Sequence, residues 1–340
     1  SLCMEKILKN EPYKVSILIP VYGVEKYIKR CAISLFEQTY SNLEFVFVND
    51  STCDGSIAIL NETIKLYPKR EQQVKIIHHK KNRGLAASRN TAVEMATGEF
   101  LVHVDSDDWL DSKAVEVAVK MQAQTNADFV SFNSKVIWPS YTEFYKTPYC
   151  KEPLELVKLM LQRKVGWNIW GRLIRKSLYT DNNISVIEGC NMGEDAQVVP
   201  KLVYNSKIIA NIDMVLYYYD RTNNSSYTSK FSPAKDEQTW LSIKSLLLYF
   251  TDTELRHSLD ILKVKSVVDD LKNISKAKGN EAKQYFYSVI RKRVRETNRN
   301  CWKCLSLPER LMLYISNKTY LSIYVRIAGF FKHYILRHDI

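Results

Sequence analysis

The stretch Phe100-Leu-Val-His-Val-Asp105-Ser-Asp107-Asp108-Trp109 joins a short apolar run to three carboxylates within four residues. The run has the length and the β-branched and aromatic content of a buried strand. Carboxylates this close together repel one another unless a positive charge lies among them. The stretch therefore predicts a strand that ends at a site for a hard divalent cation, whose remaining ligands come from a phosphate.

Three earlier runs have the same character. They are Val15-Ser-Ile-Leu-Ile-Pro20, Leu43-Glu-Phe-Val-Phe-Val48 and Val74-Lys-Ile-Ile-His78. Helix-length segments separate the runs. The first carries an apolar stripe at spacings of three and four, formed by Val24, Tyr27, Ile28, Cys31 and Leu35. The second and third helices are expected to open at Asp54-Gly-Ser56 and after Asn82-Arg-Gly84.

Strands that alternate with helices at this period indicate right-handed βαβ units and a mostly parallel sheet. Ligands bind outside the carboxyl ends of the strands in such sheets. Three polar clusters follow the strands at these ends, namely Pro20-Val-Tyr22, Asn49-Asp50 and Asp105-Ser-Asp107. The sequence thus predicts one binding edge shared by all three clusters.

Six motifs then occur in a fixed order. They are Pro20-Val-Tyr-Gly23, Asn49-Asp50-Ser-Thr-Cys-Asp54-Gly-Ser56, Asn82-Arg-Gly-Leu-Ala-Ala-Ser-Arg89-Asn90, Asp105-Ser-Asp107-Asp108, Gly193-Glu-Asp195 and Tyr219-Asp-Arg221. With this ordered set the chain resembles the family 2 glycosyltransferases, which are inverting enzymes that use nucleotide sugars and often build bacterial surface polysaccharides. The resemblance runs from about residue 14 to residue 226.

The resemblance implies an α/β fold of the GT-A type, a Rossmann-like, mostly parallel mixed sheet flanked by helices. We expect residues 1–230 to form the catalytic domain and residues 231–340 a basic helical region. The resemblance also implies a hexosyl- or hexosaminyltransferase that moves a sugar from a UDP-sugar to a hydroxyl of a glycan or lipid-linked acceptor.

The nucleotide site follows from the same resemblance. Pro20, Val21, Tyr22 and Asp50 would hold the base and the ribose, because a tyrosine can stack on uracil and a carboxylate can accept its imide N–H. The family usually has Asn where this chain has Gly23, and often Asp where it has Asn49. These two departures leave the identity of the donor open. Asp54 is expected to cap the following helix instead.

The metal site is assigned to the acidic motif. By resemblance Asp107 coordinates Mn²⁺ or Mg²⁺, Asp105 addresses the ribose or the ion, and Ser106 contributes to donor binding. The bound cation would stabilise the charge that develops on the leaving diphosphate. Asp108 is expected to cap a helix that begins near Asp111. A solvated acidic turn is the competing interpretation, and it does not explain why the motif follows a buried strand.

Two arginines are assigned to the diphosphate by resemblance. Arg89 would reach it, or the acidic motif, from the helix that follows Gly84. Arg221 belongs to a tyrosine and arginine unit that closes over the diphosphate in the family. The alternatives are a surface salt bridge for Arg89 and a polar edge strand followed by a loop for Arg221.

Transfer with inversion needs a base to take the proton of the attacking hydroxyl. Gly193-Glu194-Asp195 resembles the family's base motif, with Asp195 as the base and Glu194 as its neighbour, although the reverse assignment stays open. Two carboxylates at a helix start are also favoured by the helix dipole alone.

Aromatic residues are concentrated between the acidic motif and the base. They are Trp138, Tyr141, Phe144, Tyr145, Tyr149, Trp167 and Trp170. Sugars can stack on such rings, so an acceptor shelf is one interpretation. Aromatic side chains are more often buried, and we expect most of these seven in the core.

The last hundred residues carry most of the chain's net charge of +12, with 19 Lys and Arg against 9 Asp and Glu. After the basic block Arg291-Lys-Arg-Val-Arg295, residues 320–337 place aromatic and apolar side chains on one helical face beside a basic stripe. Two interpretations remain: a peripheral contact with an anionic membrane surface, or helices that pack internally.

We expect a cytoplasmic protein, because the sequence has no apolar run of roughly 20 residues and no signal-peptide pattern. A peripheral position on the inner membrane face is the further interpretation that the basic C-terminal region leaves open. Seven scattered cysteines indicate reduced thiols, and Cys301-Trp-Lys-Cys304 has no second ligand pair for zinc.

Three other functions compete with glycosyl transfer. Nucleic-acid binding is disfavoured, because the basic excess lies away from the motifs. A sugar nucleotidyltransferase would carry a Gly-rich phosphate loop after the first strand, and Pro20-Val-Tyr-Gly-Val24 supplies none. A family member that binds nucleotide without transferring sugar remains the third alternative.

Overall fold

A computed structural model describes residues 13–222, 232–274 and 280–318. The chain divides into two compact units. The first comprises Ser1–Val157 and Trp167–Ser225, and the second comprises Lys158–Gly166 and Ser226–Ile340.

The first unit contains a mixed sheet. Its strands are β1 (Val15–Val21), β2 (Leu43–Asn49), β3 (Val74–His78), β4 (Phe100–His103), β5 (Trp109–Leu110), β6 (Phe129–Ile137), β7 (Thr142–Tyr145), β8 (Arg172–Arg175) and β9 (Ile209–Asp220). The strand order is β3-β2-β1-β4-β8-β6-β9-β5, with β7 paired to β6. The strands β1 to β4 pair in parallel, whereas β8 is antiparallel to both of its neighbours. The four strands predicted from the apolar runs are confirmed.

Helices connect these strands. They are α1 (Ile28–Phe36), α2 (Ser56–Lys65), α3 (Leu85–Met95), α4 (Ala114–Thr125), α5 (Pro153–Leu161, which continues into the second unit), α6 (Ser177–Asp181) and α7 (Glu194–Asn205). The stripe predicted for α1 is buried at Ile28, Cys31 and Leu35. It packs in a core that also contains Phe45 and Phe47 of β2. Strand β1 is buried along its whole length, which agrees with its continuous apolar sequence.

The second unit is helical in its described residues. Its helices are α8 (Pro233–Tyr249), α9 (Arg256–Ile274), α10 (Asn280–Tyr285), α11 (Arg291–Arg295) and α12 (Leu307–Lys318). The amphipathic pattern predicted over residues 320–337 lies outside the described residues. None of the helices described in either unit is long and apolar enough to cross a membrane.

A buried ion cluster joins four helical segments of the second unit. The Arg293 guanidinium donates to Asp236 at 2.5 Å and to Asp270 at 3.0 Å. The Trp240 indole N–H also donates to Asp270, at 2.6 Å, and the Tyr285 hydroxyl donates to Asp236 at 2.7 Å. One arginine therefore serves two buried carboxyl groups.

This cluster predicts a pH dependence of stability. Burial, together with the charge of Asp236, raises the pKa of Asp270 to about 8 against the opposing effect of Arg293. The folded protein then keeps a proton that the unfolded chain loses near pH 4. Since the folded state binds more protons between these values, the Asp270 contribution to the free energy of unfolding falls as pH rises from about 4 to about 8.

Urea unfolding of wild type and Asp270→Asn at a series of pH values measures this contribution. We expect Asp270→Asn to become more stable relative to the wild type as pH rises. Asp269→Asn is the matched control, because Asp269 pairs with Arg163 and is partly exposed. A difference between wild type and Asp270→Asn that stays constant with pH would refute the prediction.

Candidate active site

The carboxyl ends of β1, β2 and β4 meet at one edge of the sheet, as predicted. The backbone N–H of Asp50 donates to Val21 at 3.1 Å, and the N–H of Gly23 donates to the Thr52 hydroxyl at 2.9 Å. Pro20 and Val21 are buried at the end of β1, while the Tyr22 side chain is 56% exposed. Tyr22 is thus available for stacking on a base.

Asp50 has a set of partners that the sequence did not indicate. Its carboxylate accepts the backbone N–H of Arg83 at 2.8 Å and of Gly84 at 2.7 Å, and it lies 2.7 Å from Nδ1 of His79. Only 2% of the residue is exposed. Asp50 therefore anchors the turn before α3, and its contact with a nucleotide base stays a prediction.

Gly84 is required by this turn. Its φ of +90° favours glycine, and a Cβ atom there would lie 2.5 Å from the side chain of Asn191. Asn191 Oδ1 in turn accepts the backbone N–H of Ala86 in the first turn of α3. The segment before the predicted base is thereby fastened to the helix that carries Arg89.

Arg89 brings the acidic motif and the base motif together. Its guanidinium contacts Asp105 Oδ1 at 3.0 Å and Glu194 Oε1 at 3.1 Å, and it lies 3.8 Å from Asp195 Oδ1. The side chain is only 4% exposed, so the alternative of a surface salt bridge is wrong. Burial alone would lower the pKa of Arg89, but Asp105, Asp195 and Glu194 raise it above its usual value. The Nη1 atom is buried and makes no hydrogen bond.

Asp195 has the environment expected of a base. Its Oδ2 accepts the backbone N–H of Ile169 at 3.2 Å, whereas its buried Oδ1 accepts no hydrogen bond. Burial and the carboxylate of Glu194 raise the pKa of Asp195 well above its usual range, with Arg89 opposing them. A raised pKa brings a carboxylate closer to the pH at which it exchanges protons during catalysis.

The acidic motif is held by contacts on three sides. Arg30 of α1 donates to the backbone carbonyl of Asp107 at 2.7 Å and to the side chain of Asp220 at 2.5 Å. The Tyr217 hydroxyl accepts the N–H of Asp105 at 3.2 Å and donates to Asp108 at 2.5 Å. Ser106 is buried beside them.

The expectation that Asp108 caps a helix is wrong. Its carboxylate accepts the backbone N–H of Asp220 at 2.8 Å in addition to the Tyr217 hydroxyl, and α4 begins later, at Ala114. Burial, followed by the charges of Asp105 and Asp107, raises the pKa of Asp108. Asp108 therefore connects the motif to β9. The N-cap residue of α2 is Gly55, and Asp54 before it accepts the backbone N–H of Ser56 at 3.1 Å, so Asp54 does satisfy a donor at the start of α2.

The donor set of the acidic motif fits a hard cation. Oδ1 of Asp105 accepts a hydrogen bond from Arg89, and the partly exposed Asp107 lies on the same loop. In the described part of the chain, no three His, Cys, Asp or Glu side chains are grouped to hold a metal. Two carboxylates suit Mg²⁺ or Mn²⁺ when the substrate diphosphate and water supply the other ligands.

Arg221 is exposed, and its guanidinium lies on two rings. It is 4.8 Å from the centroid of Trp138 and 5.5 Å from that of Tyr219. The alternative of an edge strand is wrong, because β9 pairs with β6 on one side and with the short β5 on the other. The assignment of Arg221 to the diphosphate stays a prediction.

The expectation that most of the seven aromatic residues are core is also wrong. Tyr141, Phe144 and Tyr149 are exposed, and the other four are only partly buried. Phe144 and Tyr145 lie on β7, Trp138 and Tyr141 lie in the turn between β6 and β7, and Trp167 and Trp170 lie in the loop before β8.

Fold and site together indicate a glycosyltransferase. The family model "Glycosyl transferase family 2" matches residues 16–193, and the chain belongs to this family. An uncharacterized glycosyltransferase of Bacillus subtilis, EpsJ, is 28% identical over 243 residues, which cover 69% of this chain and 69% of EpsJ.

Solved structures agree with the predicted GT-A fold, which is confirmed. S. aureus TarS 1-349 in complex with UDP-GlcNAc has a TM-score of 0.72 at 20% identity, over 94% of this chain and 92% of that chain. The mannosyltransferase PcManGT from Pyrobaculum calidifontis, in complex with GDP-Man and Mn²⁺, has a TM-score of 0.54 at 14% identity, over 96% and 92% of the two chains. At these identities the likeness concerns the fold.

Proposed function

We propose that the protein is an inverting glycosyltransferase that transfers a sugar from a UDP-sugar to a hydroxyl of a glycan or lipid-linked acceptor in the synthesis of a cell-surface polysaccharide. The observation that carries the proposal is the cluster around Arg89, in which the acidic motif and the base motif share one buried guanidinium. A donor site and a base must be adjacent for direct displacement at the sugar carbon.

In this mechanism Asp195 takes the proton of the attacking hydroxyl through Oδ1, while the N–H of Ile169 holds Oδ2 and so fixes the orientation of the carboxylate. Glu194 stays paired with Arg89. Tyr22 and Asp50 are assigned to the base, Pro20 and Val21 to the floor beneath it, and Ser106 and Asp105 to the ribose side. Arg221 and Nη1 of Arg89 are assigned to the diphosphate.

Asp107, with Asp105, would hold Mn²⁺ or Mg²⁺. Such an ion, when bound, stabilises the negative charge of the departing nucleoside diphosphate. The Mn²⁺ in the mannosyltransferase complex and the UDP-GlcNAc in the TarS complex support the choice of ion and nucleotide for this chain.

Calorimetric titration of UDP with and without Mn²⁺ tests the donor site. We expect Mn²⁺ to tighten UDP binding to the wild type, and Asp107→Ala to lose this gain because one of the two ligand carboxylates is gone. Asp181→Ala removes an exposed carboxylate of the same unit and is the matched control. UDP binding that does not respond to Mn²⁺ would reject the metal site. Binding of GDP in place of UDP would reassign the donor.

We also propose that the basic C-terminal region brings the enzyme to an anionic membrane surface, where a lipid-linked acceptor would lie. Its charge balance of 19 basic to 9 acidic residues over 241–340 supports this. Flotation of the full chain with anionic and with neutral liposomes tests the proposal, and equal recovery with both would reject it.

A further inference from the structure

A column of rings leads from the candidate active site to an exposed hairpin. Trp170 stacks on Tyr217, with centroids 4.7 Å apart and planes at 12°, and contacts Tyr219 at 5.2 Å. The Arg221 guanidinium follows, between Tyr219 and Trp138. Trp138 then stacks on Tyr141 at 5.7 Å. The six side chains form one continuous series.

Strand register explains why the column forms. In the parallel pair of β6 and β9, Ser134 lies opposite Tyr217 and Val136 opposite Tyr219. Side chains alternate between the faces of a strand, so every second residue of each strand shares a face. The N–H of Arg221 donates to Ile137 at 2.8 Å and extends this pairing past the last ladder pair. Trp138 and Arg221 consequently follow on the same face as the tyrosines.

The inner end of the column lies at the reacting groups. Tyr217 binds the backbone of Asp105 and the side chain of Asp108 through its hydroxyl. Trp170 directly follows Ile169, whose N–H holds Asp195. The column therefore begins between the acidic motif and the base, which is where the acceptor hydroxyl must be placed in the proposed function.

The outer end is held open to solvent. Tyr141 is 57% exposed, and the Trp138 indole N–H donates to Glu143 at 3.3 Å, which fixes the ring on the hairpin. Trp138, Tyr219 and Trp170 are partly exposed, so the series stays accessible to solvent from the hairpin inward as far as Trp170. Among the described residues, Arg221 forms no ion pair with a carboxylate, and its edge is available to hydroxyl or acidic groups.

We propose that this face, formed by Trp170, Tyr219, Arg221, Trp138 and Tyr141, is the acceptor floor, and that it binds a glycan of two or more sugars. The inference rests on the proposed function, because it takes Asp195 as the base. Pyranose rings have an apolar C–H face that packs on aromatic rings, while their hydroxyls bond to polar groups at the edge. Each ring-to-ring step is about as long as one pyranose, so the column extends beyond a single sugar.

The test compares full-length wild type with the double variant Trp138→Ala/Tyr141→Ala. Both proteins, saturated with UDP and Mn²⁺, are applied to an array of immobilised bacterial glycans that range from mono- to hexasaccharides. We expect the wild type to retain oligosaccharides better than monosaccharides. The double variant should bind them roughly tenfold more weakly, from the loss of about 1 kcal/mol or less per ring.

Phe144→Ala is the matched control. Phe144 is an equally exposed ring of the same hairpin, but it pairs with Lys135 and so lies on the opposite face from Trp138. Its loss should leave glycan binding unchanged. Equal weakening by Phe144→Ala would indicate unspecific adhesion and overturn the acceptor floor.

UDP titration of the same proteins separates the two proposals. Two outcomes would overturn the acceptor floor and leave the proposed function standing, provided that UDP binding is normal. In the first, the wild type retains no glycan. In the second, the double variant retains glycans as well as the wild type does. Loss of UDP binding in the double variant would assign the rings to the donor and also overturn it. Absence of UDP binding in the wild type would reject the proposed function and the floor together.

Discussion

Replacement of Asp195 with asparagine is expected to lower kcat for sugar transfer by about 10²- to 10⁴-fold while UDP binding is retained. The amide has the shape of the carboxyl group and can still accept the N–H of Ile169 through its oxygen. It cannot take a proton from the acceptor hydroxyl. The variant should therefore slow the chemical step of transfer and leave donor binding intact.

The reason that folding should survive is electrostatic. Arg89 faces three carboxylates, so removal of one negative charge from this cluster relieves repulsion. Burial and Glu194 already disfavour the ionised form of Asp195, as its raised pKa indicates. We expect Asp195→Asn to unfold at the same urea concentration as the wild type or a higher one.

Steady-state kinetics with a UDP-sugar, together with calorimetry of UDP, measure this result. Asp181→Asn, an exposed aspartate of the same unit, should behave as wild type. If Glu194→Gln lost turnover while Asp195→Asn kept it, the reverse assignment of the base would be correct. Unchanged turnover in both variants would remove the base from this motif.

The predictable parts of the molecule are those that local pattern determines. Strands β1 to β4 and helices α1 to α3 follow from short apolar runs and from turn residues such as Gly84, because each signal lies within a few residues of the element it specifies. The polar clusters at the strand ends were predictable for the same reason, since parallel strands end at one edge.

Apart from the approach of Arg89 to the acidic motif, which the resemblance implied, the contacts that organise the site were not predictable. Arg89 and Glu194 are 105 residues apart, and Asp105 and Tyr217 are 112 apart. Nothing in the sequence around Tyr217 or Ile169 indicates that a hydroxyl or a backbone N–H will meet the acidic and base motifs. The sequence around Arg30 is typical of a surface helix and does not indicate that its side chain will donate to the backbone carbonyl of Asp107.

The two wrong expectations have a common cause. Asp108 was assigned to a helix start because aspartate is frequent there, and the aromatic residues were assigned to the core because rings are usually buried. In the fold, Asp108 instead meets β9, and the turn between β6 and β7 leaves Tyr141 exposed and Trp138 partly exposed. Average preferences are overruled where tertiary contacts build a site.

Substitution of Arg89 by methionine is expected to lower the free energy of unfolding by about 3–5 kcal/mol. Methionine fills most of the same volume but leaves Asp105, Glu194 and Asp195 without their shared cation. Carboxylates largely withdrawn from water are costly without a counter-ion, and here Glu194 is buried while Asp105 and Asp195 are partly exposed. The three also repel one another. Urea unfolding near neutral pH gives the magnitude, and the deficit should shrink in acid as the carboxyl groups take up protons.

Two further variants decide whether loss of the Arg89 charge is the cause of the lower stability. Arg83→Met removes an exposed guanidinium that pairs with exposed Glu188, so it should lower the free energy of unfolding far less than Arg89→Met does. Arg89→Met combined with Glu194→Gln should be more stable than Arg89→Met alone, because one of the stranded charges is gone. If Glu194→Gln gave no such recovery, the cost of Arg89→Met would come from packing, and the guanidinium would not be the group that unites the two motifs.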